Sequence, residues 1–184
     1  MTTLNIIFIV LSSLIVLIFL FGIIYKSDGK KLDHTKERLR DAESECLDKY
    51  KIKYSLMKDM IEYIEKKYKV ESSVFKEVKN INVEKLDLSK NEKSINKCYK
   101  EIIQIRNDNP NARESKSFKE LINKYNENEL NIVAIRTYHN KYTMIFNSMI
   151  KKFPYNIISK FKKYSINELI EGRELDNNFN NLEV

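Results

Sequence analysis

The sequence predicts an all-α protein in which a single N-terminal transmembrane helix is followed by an antiparallel helical bundle. An uncharged apolar run occupies residues 4–25. Further along the chain, apolar residues recur at alternating steps of three and four, which is the spacing of a buried helical face. Only three Gly, two Pro and no Trp occur in 184 residues, and this composition disfavours a turn-rich β fold.

The apolar run is long enough to cross a membrane. Residues 4–25 would span roughly 33 Å as a helix, and the hydrocarbon core of a bilayer is about 30 Å thick. A cleaved signal peptide is the alternative, but residues 1–5 contain no Lys or Arg and residues 21–25 do not form a small-x-small cleavage site. We therefore predict an uncleaved anchor over residues 1–25.

Charge around the anchor predicts its direction. The N-terminal flank carries only the α-amino group, whereas six Lys and Arg residues lie between residues 26 and 40. Basic flanks stay in the cytoplasm, so we expect a single-pass protein of the cell membrane with its N-terminus outside and its body cytoplasmic. Cys46 and Cys98 show no paired spacing, which fits a reducing compartment.

Three further regions follow the anchor. Residues 26–32 contain Ser27-Asp28-Gly29 and are predicted to be a juxtamembrane linker. Residues 33–164 are predicted to form the helical bundle and to end in a basic segment. Residues 165–184 are interpreted as a loose, acidic, Asn-rich tail.

Two long apolar seams define the predicted bundle. The first is interrupted only by Glu71, and it leaves open whether residues 33–79 form one helix or two. It consists of Leu47, Tyr50, Tyr54, Met57, Ile61, Ile64, Tyr68, Phe75 and Val78. A shorter helix should then run through residues 95–105 and end before Pro110.

The second seam lies on a last helix that should extend from about Glu114 to Pro154. Its core positions are seven residues apart: Phe118, Tyr125, Ile132, His139, Phe146 and Phe153. The companion positions are Leu121, Ile135, Tyr142 and Met149, with Asn128 as a polar member.

The last helix also carries a recognisable motif. The pattern E-x-x-I-x-x-x-R-x-x-H-N begins at Glu129, and F-N-x-x-I-x-x-F-P-x-N begins at Phe146. Together they resemble the C-terminal signature of the LemA family, a bacterial family of membrane-anchored helical proteins. His139 and Phe146 stand where that family has Tyr. Lys58-Asp59 stands where it has Pro-Asn between its first two bundle helices.

The resemblance implies an antiparallel four-helix bundle behind a membrane anchor. Because the proline is missing here, three long helices in place of four remain open. The resemblance implies no catalytic activity. It does mark a set of structural signature residues, namely Glu129, Arg136, Asn140, Asn147, Phe153 and Pro154.

Two interpretations compete for Glu129 and Arg136. They could form a partner-binding pair, or they could be bundle residues whose charges are paired with other helices. The second is favoured, because a buried charge without a partner is costly. Asn140 and Asn147 lie one heptad apart and are expected to fix helix register through amide hydrogen bonds.

No catalytic or metal-binding constellation is evident. His34 lies in a charged stretch and is interpreted as solvated, and His139 is interpreted as a core residue. Neither has a second ligand at metal-binding spacing, and no phosphate loop, HExxH or CxxC motif occurs. We therefore expect no enzyme activity, no cofactor and no metal.

The basic aromatic segment 151–164 is the strongest candidate contact surface. No acidic residue occurs between residues 130 and 167. We predict that this segment contacts anionic lipid, at about 1 kcal/mol per basic residue near the surface; a solvated face is the plain alternative. The candidate contacts are Lys151, Lys152, Lys160, Lys162 and Lys163.

These features favour a membrane-tethered helical scaffold or protein-interaction module. The alternative is an anionic-lipid-surface module acting through residues 151–164. The expected partners are membrane lipid and a membrane or cytoplasmic protein, and a homo-oligomer is left open. No nucleic-acid recognition motif is present, so no nucleic acid is expected.

Overall fold

The structure is a computed structural model that describes residues 3–82 and 88–170, apart from the side chains of residue 4 and residues 88–90. Within this part of the chain all regular structure is helical. The helices are α1 (Thr3–Tyr68), α2 (Ser73–Lys79), α3 (Leu88–Asp108), α4 (Pro110–Glu114), α5 (Lys116–Met149) and α6 (Tyr155–Phe161). The predicted all-α fold is confirmed.

The predicted linker at residues 26–32 is wrong, because α1 continues through it without a break. A single glycine costs a helix only about 1 kcal/mol relative to alanine, and tertiary contacts offset that cost here. Leu32 is fully buried, and a Cβ on Gly29 would lie 3.6 Å from Cε of Lys162. The Ser27-Asp28-Gly29 sequence is therefore a packed part of the helix.

The open question about residues 33–79 is also resolved. The helix passes straight through Lys58-Asp59 but ends at Tyr68, so one helix to residue 79 is excluded. Lys69 adopts the left-handed conformation with φ 57°. The side chain of Ser72 then caps α2 by accepting a hydrogen bond from the amide of Val74 at 3.1 Å. Glu71, the residue that interrupts the first seam, lies in this break between α1 and α2.

The chain divides into two compact units, and each has its own core. Of the described residues, unit 1 comprises 3–41 and 139–169, and unit 2 comprises 42–82, 88–138 and 170. In unit 1, four buried residues form the core: Leu32, Leu39, Phe146 and Ile158.

Unit 2 contains the larger core, to which α1, α2, α3, α4 and α5 all contribute. Phe118 of α5 stacks on Tyr63 of α1, with ring centroids 5.0 Å apart. Further along both helices, the side-chain amide of Asn128 donates to the carbonyl of Lys49 at 2.9 Å. Residue numbers rise on one helix as they fall on the other, so α1 and α5 are antiparallel in this unit.

Most of the second predicted seam is buried. Phe118, Tyr125, Ile132, His139 and Phe146 are at most 5% exposed, whereas Phe153 is 73% exposed. Phe153 leaves the seam because α5 ends at Met149, before the predicted end at Pro154. The remaining buried positions of this helix are Ile122, Arg136 and Thr143, four residues after seam positions, and Asn128, the predicted companion three residues after Tyr125. The other predicted companions are only partly buried.

We expect the substitution Lys30→Pro to lower the thermal midpoint of the full chain in detergent by about 6–12 °C. Proline inside a helix costs about 3 kcal/mol, and 1 kcal/mol corresponds to about 2–4 °C for a protein of this size. Lys30 is exposed, so Lys30→Ala removes the same charge without disturbing the backbone. Equal midpoints for the two variants would show that residues 26–32 do not act as a helix.

Candidate functional site

Helix α6 packs against the part of α1 that directly follows the apolar run. The ring of Phe161 approaches the ring of Tyr25 edge-on, with centroids 6.5 Å apart. The Tyr155 hydroxyl donates to Oδ1 of Asp28 at 3.2 Å, and Ile158 is fully buried beside Gly29. The C-terminal segment therefore lies within unit 1 at the base of the apolar helix.

An ion pair holds the end of α6 on α1. Nζ of Lys162 donates to both carboxylate oxygens of Asp33, at 2.7 and 2.6 Å, and the Tyr164 hydroxyl donates to Oδ1 at 2.9 Å. Burial alone would raise the pKa of Asp33, but these hydrogen bonds outweigh it and hold the pKa below its ordinary value. The same contact raises the pKa of Lys162, so both groups are charged at neutral pH.

The five predicted lipid-contact lysines fall into two groups. Lys162 is engaged by Asp33, and its ammonium also lies 6.0 Å from the ring centroid of Tyr25. The other four are exposed: Lys151, Lys152, Lys160 and Lys163. Unit 1 adds three more exposed lysines on α1, immediately after Tyr25, namely Lys26, Lys30 and Lys31. Two basic stretches distant in sequence thus belong to one compact unit.

The signature residues Glu129 and Arg136 both lie in unit 2 and both face α1. Oε1 of Glu129 lies 2.8 Å from Nζ of Lys53, whose side chain is fully buried, and Glu92 of α3 lies 3.9 Å from the same nitrogen. Arg136 is 3% exposed and donates to the hydroxyl of Tyr50 at 3.4 Å. Glu129 is thus paired with a charge of α1, and Arg136 donates to a tyrosine hydroxyl of the same helix.

The other signature residues lie in unit 1. Asn147 makes two hydrogen bonds with the backbone of Asn167: its side chain donates to the carbonyl at 2.9 Å and accepts from the amide at 3.0 Å. It therefore ties down residues predicted to begin the loose tail; residues 171–184 of that tail lie outside the described residues. Oδ1 of Asn140 lies 3.3 Å from Nδ1 of His139, and Pro154 stands at the N-cap position of α6.

The histidines and cysteines show no arrangement for metal binding. His139 is buried beside Thr143, and His34 is exposed 4.0 Å from Glu37. Burial raises the pKa of the Cys46 thiol to about 11 and that of Cys98 to about 12. In the part of the chain that the structure describes, no group of three or more His, Cys, Asp or Glu side chains could hold a metal ion.

Sequence reasoning missed Lys53, which is the most deeply buried charge in unit 2. Its ammonium lies 5.7 Å from the ring centroid of Tyr50 and 5.8 Å from that of Tyr125, besides its two carboxylates. A lysine three residues after the seam position Tyr50 was a usable signal, since that position faces the core. Lysine is almost never fully buried unless it is paired, and the sequence alone does not identify the partners of Lys53.

The described helices, together with the apolar N-terminal part of α1, place this chain in the class of all-α proteins that have a long apolar helix near the N-terminus. By length and composition that helix could cross a membrane: near the N-terminus an 18-residue window has a mean hydropathy of 3.2 and is fully exposed. The LemA family model matches residues 42–182, and the chain belongs to the LemA family. Comparison with curated proteins and with solved structures found no match.

We expect Glu129→Gln to lower the free energy of unfolding by about 3 kcal/mol, the lower end of the range for a buried ion pair that loses one partner, because Glu129 is partly exposed. Lys53→Met should cost less, since it leaves no buried charge, and the double variant should resemble Lys53→Met alone. Urea unfolding of the full chain in detergent measures all three.

The exposed pair of Asp48 and Lys51 provides the matched control, with its charged atoms 3.1 Å apart on the same helix. Asp48→Asn should change the free energy of unfolding by less than about 1 kcal/mol. Equal effects of Asp48→Asn and Glu129→Gln would contradict the assigned role of the buried pair.

Proposed function

We propose that this LemA-family chain is a membrane-tethered helical scaffold or protein-interaction module without catalytic activity. The observation that carries the proposal is that the apolar run and the first helix of the bundle are one helix, Thr3–Tyr68, in which residues 5–24 are all exposed. Such a helix joins a membrane segment directly to a folded body. The body is large enough to present several helix faces to another protein.

The body is proposed to be cytoplasmic, because the exposed basic residues of α1 lie directly after the apolar run, on the side of the body. Neither native cysteine is suited to testing this, since both are buried and their thiols have raised pKa values. A test therefore needs an added thiol at an exposed position, and Asn96 on α3 provides one.

Thiol-directed cross-linking of Asn96→Cys in intact cells tests orientation and interaction together. A membrane-permeant cross-linker should react and yield a discrete larger product, whereas an impermeant one should not react until the cells are opened. The unmodified chain is the control for background reaction. The variant Thr3→Cys should react with the impermeant cross-linker in intact cells, because the N-terminus is proposed to lie outside.

A product containing a second copy of this chain would make the interaction homotypic, and a product containing another protein would make it heterotypic. Recovery of the chain alone under every condition would contradict the scaffold proposal. Reaction of Asn96→Cys with the impermeant reagent in intact cells would contradict the cytoplasmic orientation.

A second candidate function is binding of the anionic lipid surface through residues 151–164. It is favoured by the packing of α6 on residues 25–33, which holds the four exposed lysines of this segment in the same unit as the base of the apolar helix. At about 1 kcal/mol for each basic residue near an anionic surface, these lysines could contribute about 4 kcal/mol.

Changing Lys151, Lys152, Lys160 and Lys163 together to Gln should reduce binding to anionic vesicles by up to about a thousandfold. Sedimentation of residues 25–184 with phosphatidylglycerol vesicles measures this, after circular dichroism has verified the fold. The matched control changes four exposed lysines of unit 2 to Gln and so alters net charge equally: Lys97, Lys100, Lys116 and Lys119. Equal losses in the two variants, or binding insensitive to salt, would exclude a specific lipid surface in this segment.

A further inference from the structure

Phe161 is a large apolar side chain that the fold leaves exposed. It is 70% exposed, although the residue three positions earlier, Ile158, is fully buried in the same short helix. Its ring contacts the ring of Tyr25 edge-on at 6.5 Å, and it is flanked in sequence by Lys160, Lys162 and Lys163. A hydrophobic ring bordered by lysines suits a surface that is both apolar and anionic.

The position of Tyr25 in α1 indicates where Phe161 lies relative to the proposed membrane boundary. It is the last residue of the apolar run, so in a chain anchored by α1 it lies where hydrocarbon meets the headgroup layer. Aromatic rings are enriched at that boundary. A ring in edge contact with Tyr25 lies at nearly the same height, within a few ångströms.

The geometry also prevents Phe161 from withdrawing into the protein. Ile158 fills the space beside Gly29, and the Asp33–Lys162 ion pair fixes the residue that follows Phe161. Because Ile158 is packed and Lys162 is bound to Asp33, the ring of Phe161 can point only away from the protein. Helix α6 is thus a rigid platform on which Phe161 is held.

We propose that Phe161 inserts into the interfacial layer of the bilayer, so that α6 is a second membrane attachment point beside the transmembrane helix. This inference rests on the proposed tethering through α1. It deepens the lipid-surface function by adding an apolar, salt-independent contact to the electrostatic one. The exposed lysines Lys160 and Lys163 then lie among the lipid headgroups.

The chain contains no Trp, so Phe161→Trp introduces a unique fluorophore at an exposed position. The full-length variant is reconstituted into neutral phosphatidylcholine vesicles whose acyl chains are brominated close to the headgroup, and quenching is compared with that in unbrominated vesicles. Phe19→Trp, inside the apolar run, is the positive control. Quenching of Phe161→Trp should approach that of Phe19→Trp.

Met144→Trp is the matched negative control. Met144 is 59% exposed and belongs to the same unit. Two positions away, the Tyr142 hydroxyl accepts from Arg38 at 2.5 Å, and Arg38 lies thirteen residues beyond Tyr25, about 20 Å further along the helix. Met144→Trp should show little quenching. Equal quenching of Phe161→Trp and Met144→Trp would overturn the proposal.

A second variant tests the platform. Asp33→Asn removes the charge that holds Lys162, and in the Phe161→Trp background it should reduce quenching severalfold while helical content is unchanged. Undiminished quenching in this variant would contradict the role of the ion pair in holding Phe161. The comparison with Met144→Trp would still decide whether Phe161 inserts.

The outcomes separate this inference from the functions on which it draws. The vesicles are neutral, so quenching of Phe161→Trp supports the insertion even where the lysine variants show no anionic-lipid binding. Absence of quenching in Phe19→Trp would overturn the tethering proposal and this inference with it.

Discussion

The continuity of α1 from Thr3 to Tyr68 is the constraint on which the packing of α6 against residues 25–33 depends. In an unbroken helix each residue is fixed at 1.5 Å and about 100° from the one before it. Tyr25, Gly29 and Asp33 therefore form a single face at intervals of four residues, and α6 covers this face with Phe161, Ile158 and Lys162. A flexible linker at residues 26–32 would leave α6 without a surface to pack on.

The charged residues in the core of unit 2 act mainly as constraints on helix pairing. Removing Lys53 and a carboxylate from water is costly, and a buried ion pair is weak support for stability. Its effect on register is stronger: sliding α5 by one turn, about 5.4 Å, would leave the Lys53 ammonium without Glu129. The hydrogen bond between Asn128 and the carbonyl of Lys49 selects the same register.

Sequence periodicity was sufficient for the helices and for most of the core. Five seam positions from Phe118 to Phe146 are buried because residues seven apart share one face of an unbroken helix. The rule failed at Phe153, where α5 has ended. It also failed at residues 26–32, because Ser, Asp and Gly favour a break locally while contacts more than 120 residues away stabilise the helix. Distant contacts of this kind leave no local signal.

Charge placement could be predicted only in outline. The absence of acidic residues between residues 130 and 167 predicts a basic segment, and four of its five candidate lysines are exposed. The sequence does not show that the fifth, Lys162, forms an ion pair with Asp33. Lys53 was missed although its spacing from Tyr50 places it on the core face, because the two glutamates that pair with it come from other helices. Burial of a charge depends on a partner from another helix, and that pairing appears only with the tertiary structure.

The proposed anionic surface would lower the repulsion among the exposed lysines of unit 1. Asp28 is engaged by Lys31 and Tyr155, and Asp33 by Lys162 and Tyr164, so these carboxylates neutralise partners within the fold. The remaining exposed lysines repel one another wherever they lie within a Debye length, about 8 Å at physiological ionic strength. Dissolved counter-ions screen that repulsion only partly, whereas a fixed layer of anionic headgroups would turn it into attraction. A tether that holds this unit at the bilayer would therefore gain most where the lipid beside it is negatively charged.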